Sequence, residues 1–175
     1  MKGFTDMVGL PVVQRLLTAL AIIVAGLATA APANAASAAS VHVSGRTLFI
    51  VGTSAGETVR IEFQFGLLTV DSDSGITPGA GCIPQGATVA SCSTNVQFID
   101  ATMLGGNDTV TNKTSLQSSV LGGAGRDTLN GGSGRDGLNG GTGNDTLIGN
   151  GGVDVANGVG GFDTCSAETE SGCEA

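Results

Sequence analysis

The sequence predicts an all-β protein whose C-terminal half is a parallel β-roll, or β-solenoid, with a short-stranded β region before it and continuous with it. Three observations predict this class. Glycine, aspartate and an aliphatic residue recur every nine residues in the C-terminal half. One earlier segment alternates apolar and polar side chains, the pattern of a half-buried strand. No helical periodicity appears between Val41 and Thr102.

The first 35 residues have the features of a secretory signal peptide. Lys2 and Arg15 precede an apolar run from Leu16 to Ala28, and Ala33-Asn34-Ala35 fits a small-residue cleavage site. The run is shorter than the roughly 20 residues of a membrane span, which favours cleavage over an uncleaved anchor. The mature chain is therefore predicted to be secreted and extracellular, without stable membrane insertion, and to begin with a linker over residues 36–40.

Residues 41–103 are predicted to form the N-terminal β region. Its clearest strand is Thr58 to Phe65, where every second residue is apolar. Arg46 to Val51 and Val96 to Ile99 are further strand candidates. Glycine-rich and serine-rich segments between them predict turns.

One of these turns, Gly52-Thr53-Ser54-Ala55-Gly56, also matches the nucleophile elbow of serine hydrolases. That elbow leads into a helix and is followed by an acid and a histidine. Here a strand-like segment follows, and the single histidine, His42, comes earlier. The segment is therefore predicted to be a plain turn. Because no other catalytic constellation is present, the protein is predicted not to be an enzyme.

Residues 104–165 contain the nine-residue repeat. Three consecutive copies are complete: GGAGRDTLN from Gly122, GGSGRDGLN from Gly131 and GGTGNDTLI from Gly140. Looser copies occupy residues 149–157 and 158–166, and a detached copy lies at 104–110. Residues 166–175 are predicted to be a C-terminal cap.

The repeat resembles the GGxGxDxUx nonapeptide of secreted bacterial proteins with repeats-in-toxin (RTX, hemolysin-type) calcium-binding repeats, in which U is a large aliphatic residue. The resemblance implies a parallel β-roll that binds Ca²⁺ in its turns. Residues 149–166 depart from the pattern, since Val159 replaces the second glycine, and Ala156 and Cys165 replace the aliphatic residue.

Elementary chemistry supports the same interpretation. Glycine tolerates the backbone conformations of a tight turn, and the aspartate places a carboxylate where the turn ends. If two repeats form one coil, repeats n and n+2 stack on one edge at roughly 4.8 Å, so Asp127 faces Asp145. Carboxylates and backbone carbonyls together favour Ca²⁺ over the more strictly octahedral Mg²⁺. The predicted ligands are Asp108, Asp127, Asp136, Asp145, Asp154 and Asp163, with the backbone of Gly122, Gly123, Gly125, Gly131, Gly132, Gly134, Gly140, Gly141 and Gly143.

The net charge and the cysteine content indicate which partners, disulfides and metals to expect. A formal net charge of −8 argues against nucleic acid as a partner and favours cations. Four cysteines allow three disulfide connectivities, and the close pairs Cys82–Cys92 and Cys165–Cys173 are the expected ones. Zinc is the weaker alternative, because neither pair has C-x-x-C spacing.

The predicted function is extracellular calcium binding by the tandem repeats, with calcium-coupled folding and a structural or surface-associated role. The alternative is an adhesive or ligand-binding module that uses the N-terminal β region.

Overall fold

A computed structural model describes residues 38–174, and in that range sixteen β-strands form two eight-stranded sheets without any helix. No helix that could cross a membrane is therefore found in this range. The predicted signal peptide lies outside the described residues.

The N-terminal region contributes seven strands. They are β1 (Ala39–Ser44), β2 (Thr47–Val51), β3 (Thr58–Gln64), β4 (Leu67–Ser72), β5 (Ile76–Pro78), β6 (Cys82–Pro84) and β7 (Val89–Cys92). Strand β1 begins at Ala39, inside the segment expected to be a linker. In β3, Val59 and Ile61 are buried as the alternation predicts, whereas Phe63 and Phe65 are exposed because the strand ends at Gln64 and turns back into β4.

The C-terminal strands wind as a coil. They are β8 (Phe98–Thr102), β9 (Thr109–Asn112), β10 (Gln117–Ala124), β11 (Thr128–Gly132), β12 (Asp136–Thr142), β13 (Thr146–Asn150), β14 (Val155–Gly160), β15 (Thr164–Ser166) and β16 (Thr169–Ser171). Successive strands alternate between the two sheets, and each pairs in parallel with the strand two places ahead. Leu129 pairs with Leu147, eighteen residues later, so two nonapeptides make one coil. Residues 98–171 make about four turns, which confirms the predicted parallel β-roll.

The aliphatic position of each repeat supplies the core of the roll. Leu129, Leu138 and Leu147 are at most 2% exposed, and Ala156 fills the same position further along. Ile148, the last residue of the third complete copy, is only half-buried. Adjacent residues in a strand point to opposite faces, so Ile148 cannot share the inward side occupied by Leu147.

The two halves share this core. Strands β2 and β3 pair in parallel with β8 and β9, which continues the roll toward the N-terminus as the sequence predicts. Strands β1, β4, β6 and β7 then add antiparallel pairings at that end of the sheets.

Both expected disulfides are present. Cys82 and Cys92 are cross-strand partners on β6 and β7 and are bonded. Cys165 on β15 is bonded to Cys173, eight residues further along. All four cysteines of the chain are thus paired.

Candidate metal centre

The repeat aspartates lie in turns on two edges of the roll. Five turns that lead from the sheet containing β2 to the sheet containing β3 place an acid immediately before the next strand. These acids are Glu57, Asp108, Asp127, Asp145 and Asp163, and we call this row the first edge. The return turns place Asp136 and Asp154 on the second edge. The spacing of repeats n and n+2 thus brings together the aspartates that the sequence paired.

Each aspartate carboxylate on the first edge accepts a hydrogen bond from the preceding turn through one oxygen. The backbone N–H of Asp108 donates to Asp127 Oδ1, that of Asp127 to Asp145 Oδ1, and that of Asp145 to Asp163 Oδ1, each at 2.8 Å. On the second edge, Asp136 N–H donates to Asp154 Oδ1 at 2.9 Å. The result is a ladder of carboxylates on each edge.

Glutamates extend both ladders, and the sequence analysis did not single them out. Glu57 N–H donates to Asp108 Oδ1 at 2.8 Å. At the other end, Asp163 N–H donates to Glu174 Oε2 at 2.6 Å and Asp154 N–H to Glu168 Oε2 at 2.8 Å. Glu57 could have been found, since it follows a glycine by five residues and precedes an aliphatic residue by two, as in the repeat. Glu168 and Glu174 lie outside the nine-residue spacing.

The second oxygen of each carboxylate has no partner. The buried, unbonded atoms are Oε1 of Glu57 and Oδ2 of Asp108, Asp127, Asp136, Asp145, Asp154 and Asp163. The six aspartate side chains belong to residues at most 2% exposed. A buried carboxylate oxygen without a partner is costly, and a bound cation offsets that cost.

The first glycine of each repeat makes room for this oxygen. A Cβ at Gly131 would lie 2.6 Å from Asp136 Oδ2. The same clash with the aspartate five residues later would occur at Gly122, Gly140, Gly149 and Gly158. The second glycine is required by conformation instead, since Gly123, Gly132 and Gly141 have φ between +108° and +112°.

The predicted glycine ligands also lie in these turns, and several of their carbonyls face the next turn of the same edge. The carbonyl oxygens of Gly123 and Gly125 approach Gly141 and Gly143, and that of Gly134 approaches Gly152. The Gly132 carbonyl accepts a hydrogen bond from Gly151 N–H at 3.0 Å. Backbone oxygens thus line the same gaps between turns as the carboxylates.

Burial raises the pKa values of several ladder aspartates. Desolvation raises the pKa of Asp108 to about 7, and the neighbouring charges of Asp127 and Glu57 add to the increase against the hydrogen bond from Glu57 N–H. Desolvation likewise raises the pKa of Asp136 to about 6, and it raises the pKa values of Asp127 and Asp145. The one salt bridge in the described part of the chain joins Lys113 and Glu62, so no basic side chain there neutralises a ladder carboxylate.

The donor set suits a hard cation. Within residues 38–174, no cluster of three or more His, Cys, Asp or Glu side chains could hold a metal by side chains alone. Between stacked turns, carboxylate oxygens and backbone carbonyl oxygens lie close to one another. Such oxygen-only sets of flexible geometry are typical of Ca²⁺ sites.

Comparison with known proteins agrees with this chemistry. A family model described as the RTX calcium-binding nonapeptide repeat, in four copies, matches residues 119–147 and 138–165. No significant match was found among curated proteins or among solved structures. Three observations identify Ca²⁺ as the ion: the carboxylate oxygens without hydrogen-bond partners, the glycines that leave room for them, and the family match. The chain therefore carries RTX-type calcium-binding nonapeptide repeats, folded as a parallel β-roll.

Proposed function

We propose that the protein is an extracellular calcium-binding protein in which ion binding and folding of the β-roll are a single transition. Its role is structural or surface-associated. The observation that carries this proposal is the set of buried carboxylate oxygens without partners, one in each acidic turn of the roll.

The coupling to folding follows from the composition of the core. Each repeat buries one aliphatic side chain, such as Leu129 or Leu138, and this is the main apolar contribution of the repeat. Against it stand the entropy of ordering several glycines and the cost of burying a charged carboxylate. The bound ion supplies the missing free energy, so the metal-free roll is expected to be unstable.

We assign the ligands to the gaps between stacked turns. On the first edge these gaps lie between Asp108 and Asp127, Asp127 and Asp145, and Asp145 and Asp163; on the second edge one lies between Asp136 and Asp154. Glycine carbonyls of the facing turns, from the residues predicted as ligands, complete each coordination shell.

An extracellular location has two supports. The N-terminal 35 residues have the pattern of a signal peptide. Both disulfides, Cys82–Cys92 and Cys165–Cys173, suit an oxidising compartment. We propose a non-catalytic role, because the functional groups that the fold gathers are calcium-type oxygens.

Calorimetry of the purified mature protein tests the ion and its ligands. Several Ca²⁺ ions should bind per chain, and much less Mg²⁺ at equal concentration. Asp127→Asn combined with Asp145→Asn should lower the number of bound ions by at least one, because both carboxylates face the same gap. The control is Asp71→Asn combined with Asp100→Asn, which removes the same charge from strands β4 and β8, away from the ladders. Absence of calcium binding at millimolar concentration would contradict the proposal.

A second candidate function is adhesion or ligand binding through the N-terminal β region. Phe65, at the tip of the β3–β4 hairpin, is fully exposed, and Phe63 and Leu67 beside it are about half exposed. Exposed aromatic side chains of this kind favour contact with a partner. Retention on immobilised polysaccharide or cell surfaces, lost on Phe65→Ser, would support this second function.

A further inference from the structure

The segment from Gly52 to Arg60, predicted to begin as a plain turn, has the layout of a nonapeptide repeat. It reads GTSAGETVR, with glycine at its first position, the acid Glu57 at its sixth and the aliphatic Val59 at its eighth. The segment lies outside the residues that match the repeat family, which begin at 119.

The fold places this segment where a repeat would stand. Strand β3 pairs with β9 so that Val59 lies opposite Val110, and β9 pairs with β11 so that Val110 lies opposite Leu129. Glu57 therefore occupies the same register as Asp108 and Asp127. A Cβ at Gly52 would lie 2.5 Å from Glu57 Oε2, which repeats the relation of Gly131 to Asp136.

Glu57 and Asp108 are both buried, and each has one unpartnered oxygen. Glu57 is 2% exposed and Asp108 is 1% exposed. Glu57 Oε2 accepts from Thr53 N–H at 3.0 Å, and Asp108 Oδ1 accepts from Glu57 N–H at 2.8 Å. Glu57 Oε1 and Asp108 Oδ2 have no hydrogen-bond partner. Two buried acids on adjacent turns thus each keep a free oxygen without a basic side chain to neutralise them.

The backbones of the two turns are also in close contact. A Cβ at Gly56 would lie 2.6 Å from the Asn107 carbonyl oxygen, and Gly106 packs directly on the peptide between Ala55 and Gly56. Only residues without side chains fit at this junction. The turn at 52–57 therefore stacks on the turn at 103–108 as the family repeats stack on one another.

We propose that Glu57 and Asp108 form an additional Ca²⁺ site at the N-terminal end of the first edge, outside the residues that match the repeat family. The inference rests on the proposed function and deepens it. The ion at this site ties the N-terminal β region to the roll, so calcium stabilises both halves of the mature protein.

Native mass spectrometry of the full mature chain, at saturating calcium, tests this site. Glu57→Gln keeps the shape of the side chain and the acceptor for Thr53 N–H but removes the charge. We expect it to bind one calcium ion fewer than the wild type. Glu62→Gln, which changes a half-buried glutamate on strand β3 that belongs to neither ladder, should leave the count unchanged. Circular dichroism in calcium verifies that each variant is folded.

The outcomes separate this inference from the proposed function. If the wild type binds no calcium, the proposed function fails. If the wild type binds calcium and Glu57→Gln binds the same number of ions, only the additional site is contradicted. Should Glu57→Gln not fold in calcium, Glu57→Ala is counted in its place. That variant should also bind one ion fewer than the wild type, and a full count would overturn the proposal.

Discussion

The two leading glycines of each repeat serve different physical purposes. Gly131 is needed for space, because a methyl group there would collide with Asp136 Oδ2. Gly132 is needed for conformation, since its φ of +112° is rarely adopted by residues with a Cβ. Gly137, later in the same repeat, has no such restriction, because its nearest neighbour to a Cβ would be the Ser118 carbonyl oxygen at 4.0 Å.

This contrast gives a matched pair of substitutions. Gly131→Ala should displace the Asp136 carboxylate and remove one bound ion, or weaken its binding by about tenfold or more, since a shift of ligand geometry worth about 1.4 kcal/mol has that effect. Gly137→Ala should bind calcium as the wild type does. Calorimetric titration of both variants measures the effect. Equal binding by the two would show that the first glycine does not shape the site.

Buried aspartates also predict a pH dependence. The pKa of Asp108 rises to about 7 and that of Asp136 to about 6, from an ordinary value of 3.8, chiefly through burial. Folding without metal therefore takes up protons. The stabilisation that this protonation gives to the folded state is fully present below about pH 4 and is lost as the pH rises through 6 to 7. In EDTA, circular dichroism should show more β structure at pH 4.5 than at pH 7.5.

Calcium should reverse this dependence, because it replaces the protons. Calcium affinity should fall as the pH is lowered from 7.5 to 4.5, and binding near pH 4.5, where protonation favours the metal-free roll, should release protons. Calorimetry in two buffers of different ionisation enthalpy measures that release. Binding that releases no protons at this pH would mean that the carboxylates are already ionised in the metal-free protein.

At the scale of the turn, the degenerate copies carry backbone strain. Val159 stands at the second glycine position with φ of +78°, a region that β-branched residues strongly disfavour. Asn150 and Leu104 occupy the same position with φ of +73° and +69°. Asparagine tolerates this conformation better than valine does, so Val159 marks the most strained of these turns.

Val159→Gly should therefore stabilise the calcium-loaded protein, by about 1 kcal/mol after the entropy cost of glycine is subtracted. Val153→Gly is the control: Val153 is also exposed, but its φ is not positive, so glycine there should destabilise by roughly 0.5–1 kcal/mol. Thermal melting in saturating calcium compares the two. A lower melting temperature for Val159→Gly would contradict the strain argument.

The strands that follow the strict nine-residue spacing could be predicted from sequence. That spacing fixes both the coil length and the inward side chain, so Asp127 and Asp145 were correctly paired on one edge. Ile148 is apolar as well, but it directly follows the inward Leu147 and therefore points to the opposite face. Glu57 was not predicted as a ligand for two reasons. Its turn lacks the double glycine, and a 33-residue segment, from Phe65 to Gln97, separates it from the next coil. Strands β4 to β7 lie in that segment. They pair through antiparallel contacts and through the parallel pairing of β5 with β1, and short apolar runs do not specify these partners.

At the scale of the whole molecule, the two ends of the roll are covered by different structures. The antiparallel strands β1 and β4 cover the N-terminal end, where the Cys82–Cys92 disulfide closes a hairpin. At the C-terminal end, the exposed Glu168 and Glu174 complete the ladders, and the Cys165–Cys173 disulfide holds that segment near β15. Between these ends, the acidic edges have no built-in counter-charge, so the stability of the middle coils should depend on the ion.

The central claim is that calcium and the β-roll form together, and a calcium titration of the EDTA-treated protein at pH 7.5, followed by far-UV circular dichroism, tests it most directly. The metal-free protein should show partial β structure from the N-terminal region, and added calcium should bring a cooperative gain of β signal and a large rise in melting temperature. Magnesium at the same concentration should not reproduce the gain. An identical spectrum and melting curve with EDTA and with calcium would contradict the account, because the buried carboxylates would then be tolerated without the ion.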